Sequence, residues 1–246
     1  IYVSSCTQST DFNGMAGSAI QPVFGGTQDG VILKFNPNLS GVLFQTYFGG
    51  SNDDACFVAA IDPITSNLYV GGATSSTTLP GNKTGVIQGT NAGGLADGFV
   101  TILRPDGSAI IKTTFLGTGG IDIIYGLKFD KVGSPYVMGT TTGTWPVVNA
   151  AYSVAGSKQF ISKLKTDLSA FDYSTVFGTS SAQPNISPIA FLVDRCENVY
   201  VSGWGGGINT DQGYSTGNTT NMPEINPLTG IPGPDGRDFY FFVLKK

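Results

Sequence analysis

A tyrosine followed by a hydrophobic residue and then a run of small residues returns along this chain at a near-constant interval. The segments are IYVSSCTQSTDFNG at 1–14, NLYVGGATSSTTLPG at 67–81, YVMGTTTGTWPV at 136–147 and VYVSGWGGGINT at 199–210. Tyr2, Tyr69, Tyr136 and Tyr200 therefore mark a unit of roughly 65 residues. A unit of that size cannot bury its own apolar faces, so a chain built from it must stack equivalent units on one another.

Three more motifs keep the same phase. DGVILKFNPNLSG from Asp29, DGFVTILRPDGSA from Asp97, KQFISKLKTDLSA from Lys158 and DFYFFVLKK from Asp238 are apolar strands. In the first three, PNLS, PDGS and TDLS supply the residues of a tight reversal. GVLFQTYFGG, AIIKTTFLGT and AFDYSTVFGT follow, and CFVAAID, IIYGLKFD and IAFLVD precede the next tyrosine strand, ending at Asp62, Asp130 and Asp194.

This order predicts an all-β fold, a β-propeller of four-stranded antiparallel blades. The blade pieces are 1–50, 51–118, 119–179 and 180–246, about three and a half blades. A β-helix repeats at much shorter periods, and a sandwich gives no reason for one four-motif cycle to recur. The glycines of YVGGA suit crowding near a propeller axis. Closed rings usually hold four to eight blades, so other parts of a longer chain, or a partner protein, are expected to complete this one. The chain opens and closes inside strands, as a piece of a longer polypeptide would.

Composition narrows the chemistry. Lys and Arg total 13 and form no basic stripe, which argues against nucleic acid. No apolar run reaches the ~18–20 residues that cross a bilayer, so the chain is expected not to span a membrane. There is no histidine, which removes Ser-His-Asp and Cys-His nucleophiles and histidine metal sites from this chain. Cys6, Cys56 and Cys196 fit no zinc spacing and read as small hydrophobes, their disulfide state left open. Asp53 and Asp54 are adjacent, which makes them a poor acid–base pair; they read as a solvated loop before the next strand, with no calcium-loop pattern around them. No catalytic, cofactor-binding or metal-ligating residue is assigned, and no cofactor is expected.

Residues recurring once per unit serve the repeat. Asp62, Asp130 and Asp194 are expected to end their strands by accepting N–H bonds from the following turn, and the tyrosines to pack in the core. Trp145 aligns with Leu79 and Phe12 and should fill a shared slot. Trp204 stands where Cys6, Ala73 and Thr140 are small. It either plugs a gap or stacks on a sugar or peptide, and it is the candidate ligand-binding residue. The loops 74–96, 141–157 and 204–236 are rich in Thr and Asn, suited to neutral ligands or to surface packing. Sequons at Asn38, Asn82, Asn185 and Asn218 are common by chance in such a chain.

The stretch TYFGGSNDDACFVAAIDPITSNLYVGGATSSTTLP resembles the bacterial SBBP repeat of seven-bladed propellers. FLVDRCENVYVSGWGGG and NAAYSVAGSKQFISKL are similar to large gliding-motility-associated surface proteins, cargo of type IX secretion. The resemblance implies a secreted, extracellular location at the bacterial cell surface. It also implies a non-enzymatic scaffold, adhesion or protein-interaction role linked to gliding motility. VFGTSSAQPN in place of the Gly-Gly-Asp-Asp loop and Lys158 in place of Asp depart from the pattern, and no catalytic motif can be transferred. The alternative is a lectin-like propeller that binds surface glycans, or a carbohydrate-active lyase or hydrolase completed outside this piece.

Overall fold

The computed structural model describes residues 1–12, 19–205, 217–224 and 238–245. Among them the chain is all-β: fourteen strands in four antiparallel sheets, with no helix. Sheet I holds β1 (Tyr2–Thr7), β2 (Asp29–Phe35) and β3 (Val42–Phe48). Sheet II holds β4 (Asp54–Ile61), β5 (Leu68–Thr74), β6 (Asp97–Leu103) and β7 (Ile110–Leu116). Sheet III holds β8 (Asp122–Phe129), β9 (Pro135–Thr141), β10 (Gln159–Leu164) and β11 (Phe171–Phe177). Sheet IV holds β12 (Ser187–Val193), β13 (Val199–Trp204) and β14 (Phe239–Leu244). Within each sheet the strands lie side by side in chain order. No helix of the described residues is long and apolar enough to cross a membrane.

The same reversals build each sheet. In PNLS, PDGS and TDLS the N–H groups of Leu39, Gly107 and Leu168 donate to the carbonyls of Asn36, Arg104 and Lys165 at 3.1, 3.0 and 2.9 Å. All three residues are left-handed, with φ of 59°, 73° and 59°. Leucine is strained there, but Leu168 is fully buried in the core between sheets II and III. Gly107 has no such freedom to change, because a Cβ there would sit 2.4–2.7 Å from the Phe44 ring unless that ring moved. At the other hairpin the expected caps are present. Asp62 Oδ1 accepts from Ile64 N–H at 2.9 Å, Asp130 Oδ1 from Val132 and Ser134 at 3.0 and 2.8 Å, and Asp194 Oδ1 from Cys196 and Asn198 at 2.8 and 2.9 Å.

Alternation sends every second side chain to each face, and the facing sets form three equivalent cores. Between sheets I and II, Ile32, Phe44 and Phe48 meet Leu68, Val70 and Phe99. Between II and III, Tyr69, Val100 and Leu116 meet Leu127, Val137 and Phe160. Between III and IV, Met138, Ile161 and Phe177 meet Phe191, Val199 and Val201. Ile32, Val100 and Ile161 occupy matching positions on β2, β6 and β10 and are each 0% exposed. Burying one such side chain stabilises by about 1.5–3 kcal/mol. The first strands of successive sheets also lie against one another, β4 on β8 and β8 on β12.

Glycines let the sheets approach. A Cβ on Gly30 would stand 2.5 Å from Cys56 Sγ, and one on Gly98 would stand 2.9 Å from Ile124 Cγ1. The YVGGA glycines are crowded for a related reason. A Cβ on Gly71 would stand 3.1 Å from Ile124 Cγ2 of the next sheet, and one on Gly72 would collide with the Ala55 carbonyl of the adjacent strand. The crowding expected near an axis is therefore crowding against a neighbouring sheet and a neighbouring strand.

The repeating tyrosines join the sheets. Tyr2 Oη donates to the Pro105 carbonyl at 2.8 Å, and Tyr69 Oη to the Thr166 carbonyl at 2.9 Å. Pro105 and Thr166 open the PDGS and TDLS turns, so each tyrosine reaches across to the corresponding turn of the next sheet. Tyr136 reaches sheet IV differently, donating to Glu197 Oε2 at 3.2 Å, while Lys163 Nζ pairs with Asp130 and Glu197 at 2.9 Å each. Burial pushes the Tyr136 phenol up to about 12, so it stays a donor at neutral pH.

Tyr69→Phe removes one hydrogen bond and should cost about 1 kcal/mol. Tyr69→Ala also empties the core and should cost about 3–5 kcal/mol. Urea unfolding checks both, and equal losses for the two variants would mean the ring contributes nothing.

Candidate functional site

Three features remain once packing is accounted for: a row of residues raised by β-bulges, the face that carries Trp204, and a set of buried carboxylates.

The bulges lie on the first strand of sheets II, III and IV. Register shifts occur between Cys56 and Val58, between Ile124 and Gly126, and between Pro188 and Ala190. The extra residues are Phe57, Tyr125 and Ile189, one per strand at the same position. A bulge turns a side chain out of the regular alternation, and Phe57 and Ile189 are exposed. The Phe57 and Tyr125 rings stack at 6.1 Å between centroids and 16° between planes. Because β4, β8 and β12 are neighbours, the three residues stand at matching positions along one edge of the stacked sheets. Such a row can stack on a ring or cover an apolar side chain.

Trp204 ends β13 and is paired with Ser187 on one side and Phe239 on the other. It lies on the face of sheet IV that points away from sheet III, together with Tyr200 and Phe241, whose rings are 6.3 Å apart. Trp204 is 37% exposed. It does not share a row with Phe57 and Tyr125. Most of the 204–236 loop lies outside the described residues. Trp145, by contrast, fills its shared slot. It is buried, stacks on Phe160 at 3.5 Å, and its Nε1 donates to the Ser162 and Ser174 hydroxyls at 3.1 Å each. Leu79 is buried at the matching place, and Phe12 packs on Tyr47.

The carboxylates are Asp29, Asp54, Asp97 and Asp122, the first residues of β2, β4, β6 and β8, all at most 1% exposed. Asp29 Oδ2 accepts from Gly25 N–H at 2.8 Å, and Asp54 Oδ2 from Gly50 N–H at 2.7 Å and Ser76 Oγ at 2.8 Å. Asp54 Oδ1 also accepts from the Thr74 hydroxyl. Asp97 Oδ2 accepts from Ala92 N–H at 2.6 Å and Gln88 Nε2 at 3.1 Å. Asp122 Oδ2 accepts from the N–H and hydroxyl of Thr118 at 2.7 and 2.8 Å. A Cβ on Gly49 would stand 2.6 Å from Asp54 Oδ2 and 2.8 Å from Asp29 Oδ1, so the two acids crowd one glycine. Sheets II and III repeat the arrangement with Asp97 and Asp122. Gln21 and Gln88 complete it, their Oε1 atoms accepting from Gly49 and Gly117 N–H at 3.1 and 3.0 Å.

Between sheets III and IV amides replace the acids. Gln159 Oε1 accepts from Asn185 N–H at 2.6 Å, and Gln159 Nε2 donates to the Phe177 carbonyl at 3.0 Å. Asn185 Oδ1 accepts from Thr179 N–H at 2.9 Å, as Asp54 and Asp122 do from Gly50 and Thr118. This burial also removes Asn185 from use as a glycosylation acceptor. Burial raises the pKa of all four acids, and that of Asp97 reaches about 6, with Asp122 adding to it and the Ala92 N–H opposing it. Among the described residues no three Cys, Asp or Glu side chains gather in a way that could hold a metal ion.

Of the cysteines only Cys56 is the buried hydrophobe the sequence suggests; Cys6 and Cys196 are exposed, and all three are unpaired thiols. Asp53 is exposed and takes a hydrogen bond from the Thr27 hydroxyl, while its neighbour Asp54 is buried. The sequence reading missed the four buried aspartates and the bulge row. DG at the head of β2 and β6, with a glutamine eight or nine residues earlier, was the available signal for the first. The loss of strict alternation in CFVAAID was the signal for the second. No family model matches the chain, and no curated protein matches it.

A carboxyl that binds its proton more tightly when folded stabilises the protein below its unfolded pKa and loses that effect as pH rises through the folded value. The Asp97 contribution should therefore be present near pH 3.8 and vanish as pH rises through about 6. Asp97→Asn should flatten that part of the stability–pH curve and raise stability at pH 7.5. Thermal unfolding of both proteins from pH 4 to 7.5 checks this, and parallel curves would contradict it.

Proposed function

We propose that the chain is an arc of a β-propeller that serves as a non-enzymatic scaffold and interaction module of a large exported protein at the bacterial cell surface. The observation that carries the propeller reading is the threefold recurrence of one inter-sheet interface, with the first strands of successive sheets side by side on one edge. Stacking of that kind is what four-stranded blades do around an axis. The surface location, type IX secretion and the link to gliding motility rest on the resemblance of the repeat motifs to SBBP-type sequences. The non-enzymatic reading is supported by the lack of histidine and by the environment of the buried acids, each engaged by backbone or side-chain donors of its own loop. Antibodies against this chain should label intact cells without permeabilisation. Labelling only after lysis would sink the surface assignment.

The stacked Phe57–Tyr125 pair favours a second reading, in which the row binds a glycan or an apolar peptide segment. Phe57→Ala with Tyr125→Ala should then abolish binding on a glycan or peptide array while leaving the circular dichroism spectrum unchanged. Binding that survives the double change, or that is lost with Trp204→Ala instead, would move the site to the face of sheet IV.

A further inference from the structure

The forward face of sheet IV has the surface of an inter-sheet core, but among the described residues no sheet lies upon it. Phe241 occupies the position of Ile32, Val100 and Ile161; those three are 0% exposed and Phe241 is 59% exposed. Leu192 and Phe239, on the same face, are 54% and 62% exposed. Tyr2 and Tyr69 donate across to a turn carbonyl of the following sheet, whereas Tyr200 Oη donates to Asp194 Oδ2 of its own sheet at 3.1 Å. Exposed apolar surface gathered on one sheet face marks an interaction site.

The face also departs from those of sheets I and II at one point, where sheet III already carries the pair Thr140–Gln159. The cross-strand pairs Cys6–Gly30 and Ala73–Gly98 are small, and Cys56 and Ile124 of the following sheets settle onto those glycines. In sheet IV the corresponding pair is Trp204–Phe239. The space that receives the neighbour's side chain is already filled.

Resting on the stacked-sheet reading above, we infer that this face is half of a fourth inter-sheet interface, whose occupant is another sheet of the same repeat carrying a small residue opposite Trp204 and Phe239. Continuity with the three existing interfaces identifies the occupant. The bulk of Trp204 and Phe239 sets its specificity, because a side chain the size of Ile124 would overpack there. Trp204 is then a selector of the neighbouring sheet.

The test extends the full chain at its C-terminus with a second copy of its residues 104–179, which carries an outer strand and one complete sheet. The appended copy is made with Ile124 intact and with Ile124→Ala. The parent and both extensions carry Phe241→Cys as reporter, with Cys6→Ser and Cys196→Ser to silence the exposed thiols. Maleimide labelling of the residue 241 thiol should slow at least tenfold in the Ile124→Ala extension, and less in the extension with Ile124 intact. Labelling at the parent rate in both overturns the inference, whether the added residues fold elsewhere or fail to fold on this face. Equal protection in both overturns the size requirement. Surface labelling of cells and protection of residue 241 are independent readouts, so either the cellular role or this interface can fail alone.

Discussion

A four-stranded antiparallel sheet with apolar residues on both faces cannot keep either face from water, and that constraint shapes this molecule. The remedy is repetition: each sheet offers its forward face to the next and its backward face to the one before. Val100 and Phe99 are adjacent on one strand, yet one belongs to the core with sheet III and the other to the core with sheet I. Tyr2, Tyr69 and Tyr136 add direction, since each ring lies against the core while its hydroxyl reaches the next sheet. Glycines at 30 and 98 set how closely the sheets approach.

The loop ends of the sheets meet a second demand, the satisfaction of buried polar groups where strands begin. At two junctions the chain uses paired aspartates with a bridging glutamine, and at the third it uses Gln159 and Asn185. The hydrogen bonds to the loop are conserved in kind while the charge is not. Neutral acceptors therefore suffice for the structural task, and the aspartates carry a desolvation cost that the amides avoid. The turn aspartates Asp130 and Asp194 are held below the ordinary carboxylate range, where the Lys163 ion pair and turn N–H groups act against burial in the first case and the Asn198 amide dominates in the second.

Most of the framework was legible in the sequence because it is local. Strand order, the PNLS-type reversals and the capping role of Asp62, Asp130 and Asp194 each depend on a few consecutive residues. The Trp145 slot could be read by aligning units. The buried aspartate network was not legible, because a carboxylate at a strand start is ordinary until a distant loop folds back to place Gln21 or Gln88 beside it. The bulge row escaped because alternation read from sequence assumes no extra residue. Trp204 breaks the repeat visibly in the sequence, whereas its pairing with Phe239, 35 residues away in the chain and standing where sheets I and II have glycine, is a tertiary feature the sequence does not show.

The central claim is that each sheet is held by its neighbours across equivalent interfaces. Native-state hydrogen exchange of the chain measures this most directly. Amides of β5 and β9, in sheets covered on both faces, should exchange slowly and through a shared opening, and those of β13 should exchange faster because among the described residues sheet IV is covered on one face only. Protection in β13 equal to that in β9, or independent opening of sheets II and III, would contradict the account.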